Sequence, residues 1–248
     1  MLHPTAQISK TARLGRNVTI GAFTIVHDNV QIEDNCHIGA QCEIGTASPL
    51  SDGTPLKIGE GSVIRSHSVF YEGSSFGPNL TTGHHVTVRE GVTAGRNLQI
   101  GTQTDIQNNC RIGECTRMHS GVFVAPDAVL GRFVWLMPHV ALTNDPHPPS
   151  HVSLGVSVDD YAVISARSVI LPGVTVGRDA LVGANSTVTK DVDAGMIAVG
   201  SPARSVGPVS SIQFKAEAGR APYPWRRHFH RGYPADVVET WKQEFPEG

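Results

Sequence analysis

The sequence predicts an all-β solenoid of short strands, and three observations carry that prediction. A large apolar residue returns at every sixth position from Ile58 to Leu142, through Ile64, Phe70, Phe76, Val88, Ile100, Ile106, Ile112, Met118, Val124, Leu130 and Leu136, with only Thr82 and Ala94 weak. A small or apolar residue lies four places further on, as at Val86, Val92, Leu98, Cys110, Val122, Ala128, Val134 and Val140. Glycine often follows the large residue directly, as at Gly59, Gly77, Gly83, Gly95, Gly101, Gly113 and Gly131. A period of six fits neither a 3.6-residue helix nor a two-residue alternation. It fits short strands that each send two side chains inward, joined by turns that favour glycine or asparagine at positive φ. Fixed short periods of this kind signal a β-solenoid.

A first block of hexads holds Leu2, Ile8, Leu14, Ile20, Val26, Ile32, Ile38 and Ile44 in one frame. The next hexad residue, Ile58, comes 14 positions later, two more than two repeats. Residues 46–56, rich in Pro, Ser, Asp and Gly, therefore read as an external loop. The central block ends at Leu142, and three prolines, Pro146, Pro148 and Pro149, stop the ladder there. Residues 143–156 form the second expected loop. A third block follows, through Val158, Ile164, Ile170, Val176, Val182 and Val188. With three hexads to a turn, the blocks make about ten coils, spanning residues 1–200. Long loops on a regular scaffold often carry function, so both breaks are places to look for a site.

The remaining residues, 201–248, form a C-terminal tail. Its first part is linker-like. Arg220 to Tyr233 is basic and aromatic, and Pro234 to Phe245 predicts a short helix with Val237, Val238, Trp241 and Phe245 on one face. The tail is expected to cap the open end of the prism or to dock on a neighbouring subunit. Its arginines and tryptophan would also suit contact with a nucleotide or phosphate.

A net charge of −2 over 248 residues argues against a nucleic-acid or anionic-membrane partner. No apolar run reaches the roughly 18 residues of a membrane helix. With no signal-peptide pattern at Met1, the expected location is cytoplasmic. Cys36, Cys42 and Cys110 fall on small inward positions, Cys115 falls on an outward turn, and no C-x-x-C pair points to a metal or disulfide framework.

Coil arithmetic gathers histidines. His67, His85 and His139 occupy the same turn position in coils of 18, so they should stack along one edge of the prism. His84 lies one place before that column and His119 two places before it, beside Arg65, Ser66, Gln103 and Ser120. An imidazole titrates near neutrality and can accept a proton there.

The stretch Ile170-Leu171-Pro172-Gly173-Val174-Thr175-Val176-Gly177, followed by Val182-Gly183-Ala184-Asn185-Ser186, Thr189-Lys190-Asp191-Val192 and Gly200-Ser201-Pro202-Ala203-Arg204, resembles the end of the hexapeptide-repeat acyltransferases. The resemblance covers roughly residues 1–206 and implies a left-handed parallel β-helix, a homotrimer and an acyl-CoA donor, most simply acetyl-CoA. Thr143-Asn144-Asp145 before a proline loop, together with Thr82-Gly83-His84-His85-Val86 and Val88-Arg89-Glu90-Gly91, is similar to the nucleotide-sugar amine N-acetyltransferases. The loop here, Asp145-Pro146-His147-Pro148-Pro149, lacks the arginine expected after the proline, and the long tail is outside the common pattern.

The likeness implies transfer of an acetyl group to an amino group of a nucleotide-linked sugar, with no metal. His84 is then the first catalytic candidate, followed by His119 and His139, while Asn144 would position the sugar amine. Pantetheine would lie along Ser165, Ala166, Gly183 and Ala184, with Lys190 and Arg204 for the CoA phosphates. His85, Arg65, Glu90 and Asp145 would contact the acceptor. Asn144-Asp145 also reads simply as an Asx-turn opening the loop. Sugar O-acetylation, a zinc-dependent carbonic anhydrase-like protein and a non-catalytic scaffold are the alternatives. The anhydrase would require a second histidine five places after His119, where the chain has Val124.

Overall fold

Each hexad supplies one strand of about two residues, and its second side chain turns inward. Thr19–Ile20, Ile25–Val26 and Gln99–Ile100 are typical, with the isoleucine or valine buried and its predecessor facing out. A computed structural model of the chain describes residues 1–215 and 219–246; the tail positions 216–218 and 247–248 lie outside the described residues. Strands one coil apart pair in parallel with an offset of 18, as in Gln7↔Ile25, Thr19↔His37 and Arg111↔Val129. Three sheets result, of ten, nine and eleven strands, and they form the sides of a triangular β-solenoid. The left-handed β-helix expected from the resemblance is the architecture it matches.

The axis is filled by the predicted residues: Ile44, Ile58, Ile64, Phe70, Ile106, Leu136 and Leu142 are fully buried. Thr82, weak as a hydrophobic member, is buried as well and earns its place by hydrogen bonding. Its hydroxyl accepts the Arg65 N–H at 3.0 Å and donates to the Gly83 carbonyl at 2.8 Å. Other inward hydroxyls act between coils. Thr116 donates to the Gly131 carbonyl at 2.8 Å and accepts the Val134 N–H at 3.3 Å, and Ser168 repeats the pattern on Gly183 and Ser186. These buried hydroxyls are thus paired, as a stable core requires.

The turns explain the asparagines. Asn17, Asn29, Asn35, Asn79, Asn97, Asn109 and Asn185 all adopt φ near +60° at one turn position, which asparagine tolerates better than most residues. Phe23, Phe133, Tyr161, His67, His85 and His139 adopt it too. Both loops emerge where expected. Gln31 pairs with Lys57 and Val129 with Ser157, so offsets of 26 and 28 replace 18.

The tail departs from expectation. It does not cap the prism's end but folds back along the outside of the eleven-stranded sheet of its own chain. Trp225, Val237 and Trp241 pack there against Cys115, Phe133, Tyr161, Val163, Leu181 and Ile197. The predicted helix, α1 (Ala235–Glu244), buries Val237 and Trp241. Cys115 does sit on an outward turn, yet the tail covers it completely. The first part of the tail, expected to be linker-like, begins with a strand: Ala203–Pro208 pairs antiparallel with Met196–Gly200 and closes the eleven-stranded sheet.

Candidate functional site

The prism has three edges, and they divide the predicted residues. At the edge joining the eleven- and ten-stranded sheets stand Arg65, His84, His85, His119 and His139, followed further along by Ser165, Ala166, Gly183 and Ala184. The expected stacking is present there: the His67 and His85 rings lie 4.7 Å apart and within 9° of parallel. His84 is exposed, and its Nδ1 hydrogen bonds with the Ser66 hydroxyl at 2.8 Å.

Glu90, Asn144, Asp145 and Lys190 lie on the next edge, between the ten- and nine-stranded sheets. Within one chain the structure does not bring them to the histidines. Glu90 is buried and pairs with Arg89 at 2.9 Å and with the Ser48 hydroxyl, so it anchors the first loop. Those bonds hold its carboxyl below the ordinary range although burial opposes them. The Asp145 carboxylate accepts the Ser150 hydroxyl at 2.6 Å and the backbone N–H groups of Ser150 and His147 at 2.7 and 2.9 Å. That is the Asx-type organisation of a loop. Asn144 donates to Ser153 at 3.3 Å. Arg204 lies exposed on the terminal hairpin, with Nη1 donating to the Ala203 carbonyl at 2.9 Å.

Between the eleven-stranded sheet and the tail lies a cavity of about 720 Å³. One wall comes from the prism: Thr81, Gln99, Arg117 and Trp135 are the outward members of successive strands, joined by Arg65 and His119 at the edge. The other wall is the tail, with Tyr223, Trp225, His228, Phe229 and Arg231. Trp225 is fixed by donating its indole N–H to the Tyr161 carbonyl at 3.1 Å, and Trp135 by donating to the Tyr233 hydroxyl at 2.9 Å. Of the predicted residues, Arg65 and His119 reach this cavity; His84, His85 and His139 do not line it.

His119 differs from its neighbours. It is half-buried beside Trp135, with ring centroids 5.7 Å apart. Burial first, and the nearby Arg117 charge second, push its pKa below the ordinary histidine value. The imidazole is therefore neutral at neutral pH and free to accept a proton. Among the described residues no three His, Cys, Asp or Glu side chains gather as a metal-binding group, and no helix is long and apolar enough to cross a membrane.

Arg117 and Trp135 were absent from the sequence-based site, and the tail's arginines and tryptophan entered only as suited to contact with a nucleotide or phosphate. A signal for them existed: Trp135, Val163 and Leu181 put apolar side chains at outward positions of one sheet, where earlier coils have Thr81, Gln99 and Arg117. Successive apolar residues facing outward mean that something covers them.

Residues 11–46 match the bacterial transferase hexapeptide family (six repeats), and residues 155–190 match the hexapeptide repeat of succinyl-transferase. A 2,3,4,5-tetrahydropyridine-2,6-dicarboxylate N-acetyltransferase of Staphylococcus aureus is 42% identical over 66 residues, covering 27% of each chain. The chain thus spans about a quarter of that relative's length. Among solved structures, the Arabidopsis UDP-N-acetylglucosamine acyltransferase matches with a TM-score of 0.65 at 18% identity, over 84% of this chain and 74% of that one. The UDP-N-acetylglucosamine acyltransferase of Bacteroides fragilis matches with a TM-score of 0.55 at 22% identity, over 96% and 81%. At these identities the likeness is one of fold.

Proposed function

We propose that this chain, a member of the hexapeptide-repeat acyltransferase family, transfers an acetyl group from acetyl-CoA to an amino group of a nucleotide-linked sugar. The observation that carries the reading is His119: a half-buried, neutral imidazole on the wall of a cavity large enough for a substrate. The acceptor amine attacks the thioester carbonyl carbon, His119 takes the proton the amine loses, and the carbon–sulfur bond breaks as the tetrahedral intermediate collapses. The departing thiolate takes a proton and leaves as free CoA. This reading moves the base from His84 to His119, because His84 stands exposed beyond the cavity. His84 and His85 then serve the acceptor at the same edge.

Pantetheine would run along Ser165, Ala166, Gly183 and Ala184, which follow His119 on that edge two and three coils further on. At about 4.8 Å per coil that is roughly 10–15 Å, a reach that suits the pantetheine arm. Lys190 and Arg204, both exposed, would meet the CoA phosphates. A homotrimer completes the arrangement. Rotational symmetry pairs unlike edges of neighbouring subunits, which is how Asn144, Asp145 and Glu90 would face the histidine edge of another copy.

The test is thiol release from acetyl-CoA with a panel of nucleotide-linked 3-amino and 4-amino sugars and their hydroxyl parents. Release with an amino sugar alone supports N-acetylation, and release with the hydroxyl parent means O-acetylation. Silence across the panel despite CoA binding rejects the nucleotide-sugar acceptor.

A further inference from the structure

The cavity beneath the tail has a chemistry of its own. Its lining residues include three arginines, Arg65, Arg117 and Arg231, and no acidic side chain. Elsewhere on the prism and tail several arginines meet carboxylates: Arg96 pairs with Glu114 and Asp236, Arg132 with Asp160, and Arg226 with Asp179 and Glu244. Arg117 has no such partner among the described residues. Its Nη2 donates to the Gly232 and Arg231 carbonyls at 2.7 and 3.2 Å, and its guanidinium lies over the Tyr233 and Trp135 rings. Burial lowers its pKa, so its charge is held at a cost that only neutral groups offset.

The rest of the lining mixes polar side chains, Thr81, Gln99, Thr102 and His228 among them, with a group of aromatic rings. Trp135 faces Phe229 and Trp225 edge-on, at 5.6 and 6.0 Å between ring centroids, with Met137 and Val163 beside them. Cations without counter-ions next to aromatic faces suit a ligand that is anionic at one end and flat at the other. A flexible alkyl chain would use the apolar surface but gain nothing from ring stacking.

We propose that this cavity binds an anion carried on a planar ring, a nucleoside phosphate or an aromatic carboxylate, and that the chain's own tail completes the site. Trp135, Trp225 and Phe229 contact the ring, Arg117 and Arg231 hold the anionic group beside it, and Arg65, three coils before Arg117 on the same wall, meets the outer end of a longer anion. His119 and Ser120 border the cavity on the Arg117 side. As an account of the acetyl acceptor this rests on the transfer reading above, whereas as a binding site it does not.

The chain has three tryptophans, and all three belong to this region: Trp135 and Trp225 line the cavity, and Trp241 packs behind it. Intrinsic fluorescence therefore reports on the site without a label. The full chain, without acetyl-CoA, is titrated with uridine diphosphate, adenosine diphosphate, benzoate, pyrophosphate and octanoate. Saturable quenching by ring-bearing anions is expected, at least tenfold tighter than any response to pyrophosphate or octanoate. Arg231→Ala and Arg65→Ala, both at exposed positions, should each weaken it about tenfold while leaving the circular dichroism spectrum unchanged. Tighter binding of the diphosphates identifies a nucleoside phosphate, and tighter binding of benzoate identifies an aromatic carboxylate. Absence of quenching by every ring-bearing anion overturns the site, as does equal binding by octanoate or indifference to both arginine changes. Ring-anion binding without thiol release counts against acetyl transfer alone, so the two readings fail separately.

Discussion

The guanidinium of Arg117 lies 3.9 Å from the centre of the Tyr233 ring, joining a strand of the central coils to a residue 116 positions later in the tail. It also sits beside His119, and this pairing of a buried cation with a neutral imidazole governs how the site should respond to pH and mutation.

His119→Ala should lower turnover by about 10²–10⁴-fold, the usual contribution of a general base, while leaving CoA affinity unchanged. His84→Ala should cost less than tenfold. Steady-state kinetics with calorimetric CoA binding checks both. If His84→Ala abolishes turnover and His119→Ala does not, the base is His84.

The acid limb of the kcat/KM profile should lie below the ordinary imidazole pKa of about 6.5. Burial and Arg117 favour the neutral form in the folded protein, so activity persists as pH falls and fades only through the lowered value. Arg117→Gln removes the second of these causes and should move the limb upward. An acid limb at or above the ordinary value in the unchanged protein counts against His119.

Burial raises the Cys115 thiol to about 11. Only the tail covers it, whereas Cys36, Cys42 and Cys110 lie in the prism core. Trp241→Ala removes the fully buried centre of the tail's packing, at about 3–5 kcal/mol. Cys115 should then react with Ellman's reagent at least ten times faster while the other three stay protected. Unchanged reactivity would mean that the tail does not need Trp241 to dock.

Phe70 is fully buried on the prism axis and meets Phe76 edge-on at 5.4 Å. Phe70→Ala should destabilise the chain by about 3–5 kcal/mol, seen as a lower urea midpoint at similar slope. A loss under 1 kcal/mol would mean that neighbouring coils close the space.

The second loop is organised by one carboxylate. Ser150 first, then the backbone N–H groups of His147 and Ser150, hold Asp145 below its ordinary value. A depressed carboxylate gives order that is full above the unfolded value and lost as pH falls through the folded one. Amide protection at His147 and Ser150, relative to the intrinsic exchange rate at each pH, should therefore fall on acidification, and Asp145→Ala should lower it at neutral pH. Equal exchange in both proteins would remove Asp145 from that role.

The prism was legible because each hexad is a local rule. Ile58 through Leu142 are inward whatever the tail does, and the two breaks followed from a change of frame and from the prolines. The stacking of His67 on His85 followed from the same arithmetic. The cavity was not legible in that way, because it joins Arg117 and Trp135 to residues about a hundred positions later, and no period links them. Cys115 shows the limit: its outward turn position was correctly read, but its burial depends on where Trp241 lands.

Each coil of a solenoid touches only the coils before and after it, so such a rod tends to fray from its ends. The tail changes this by running lengthwise across the rungs. Asp236 is tied to Arg96, Gly232 to Arg117, Tyr233 to Trp135, Trp225 to Tyr161 and Arg226 to Asp179. Those five attachments span five consecutive coils, much as a batten screwed across planks makes them one board. The coils from Arg96 to Asp179 should therefore open together, whereas the unbraced coils before them peel away one at a time.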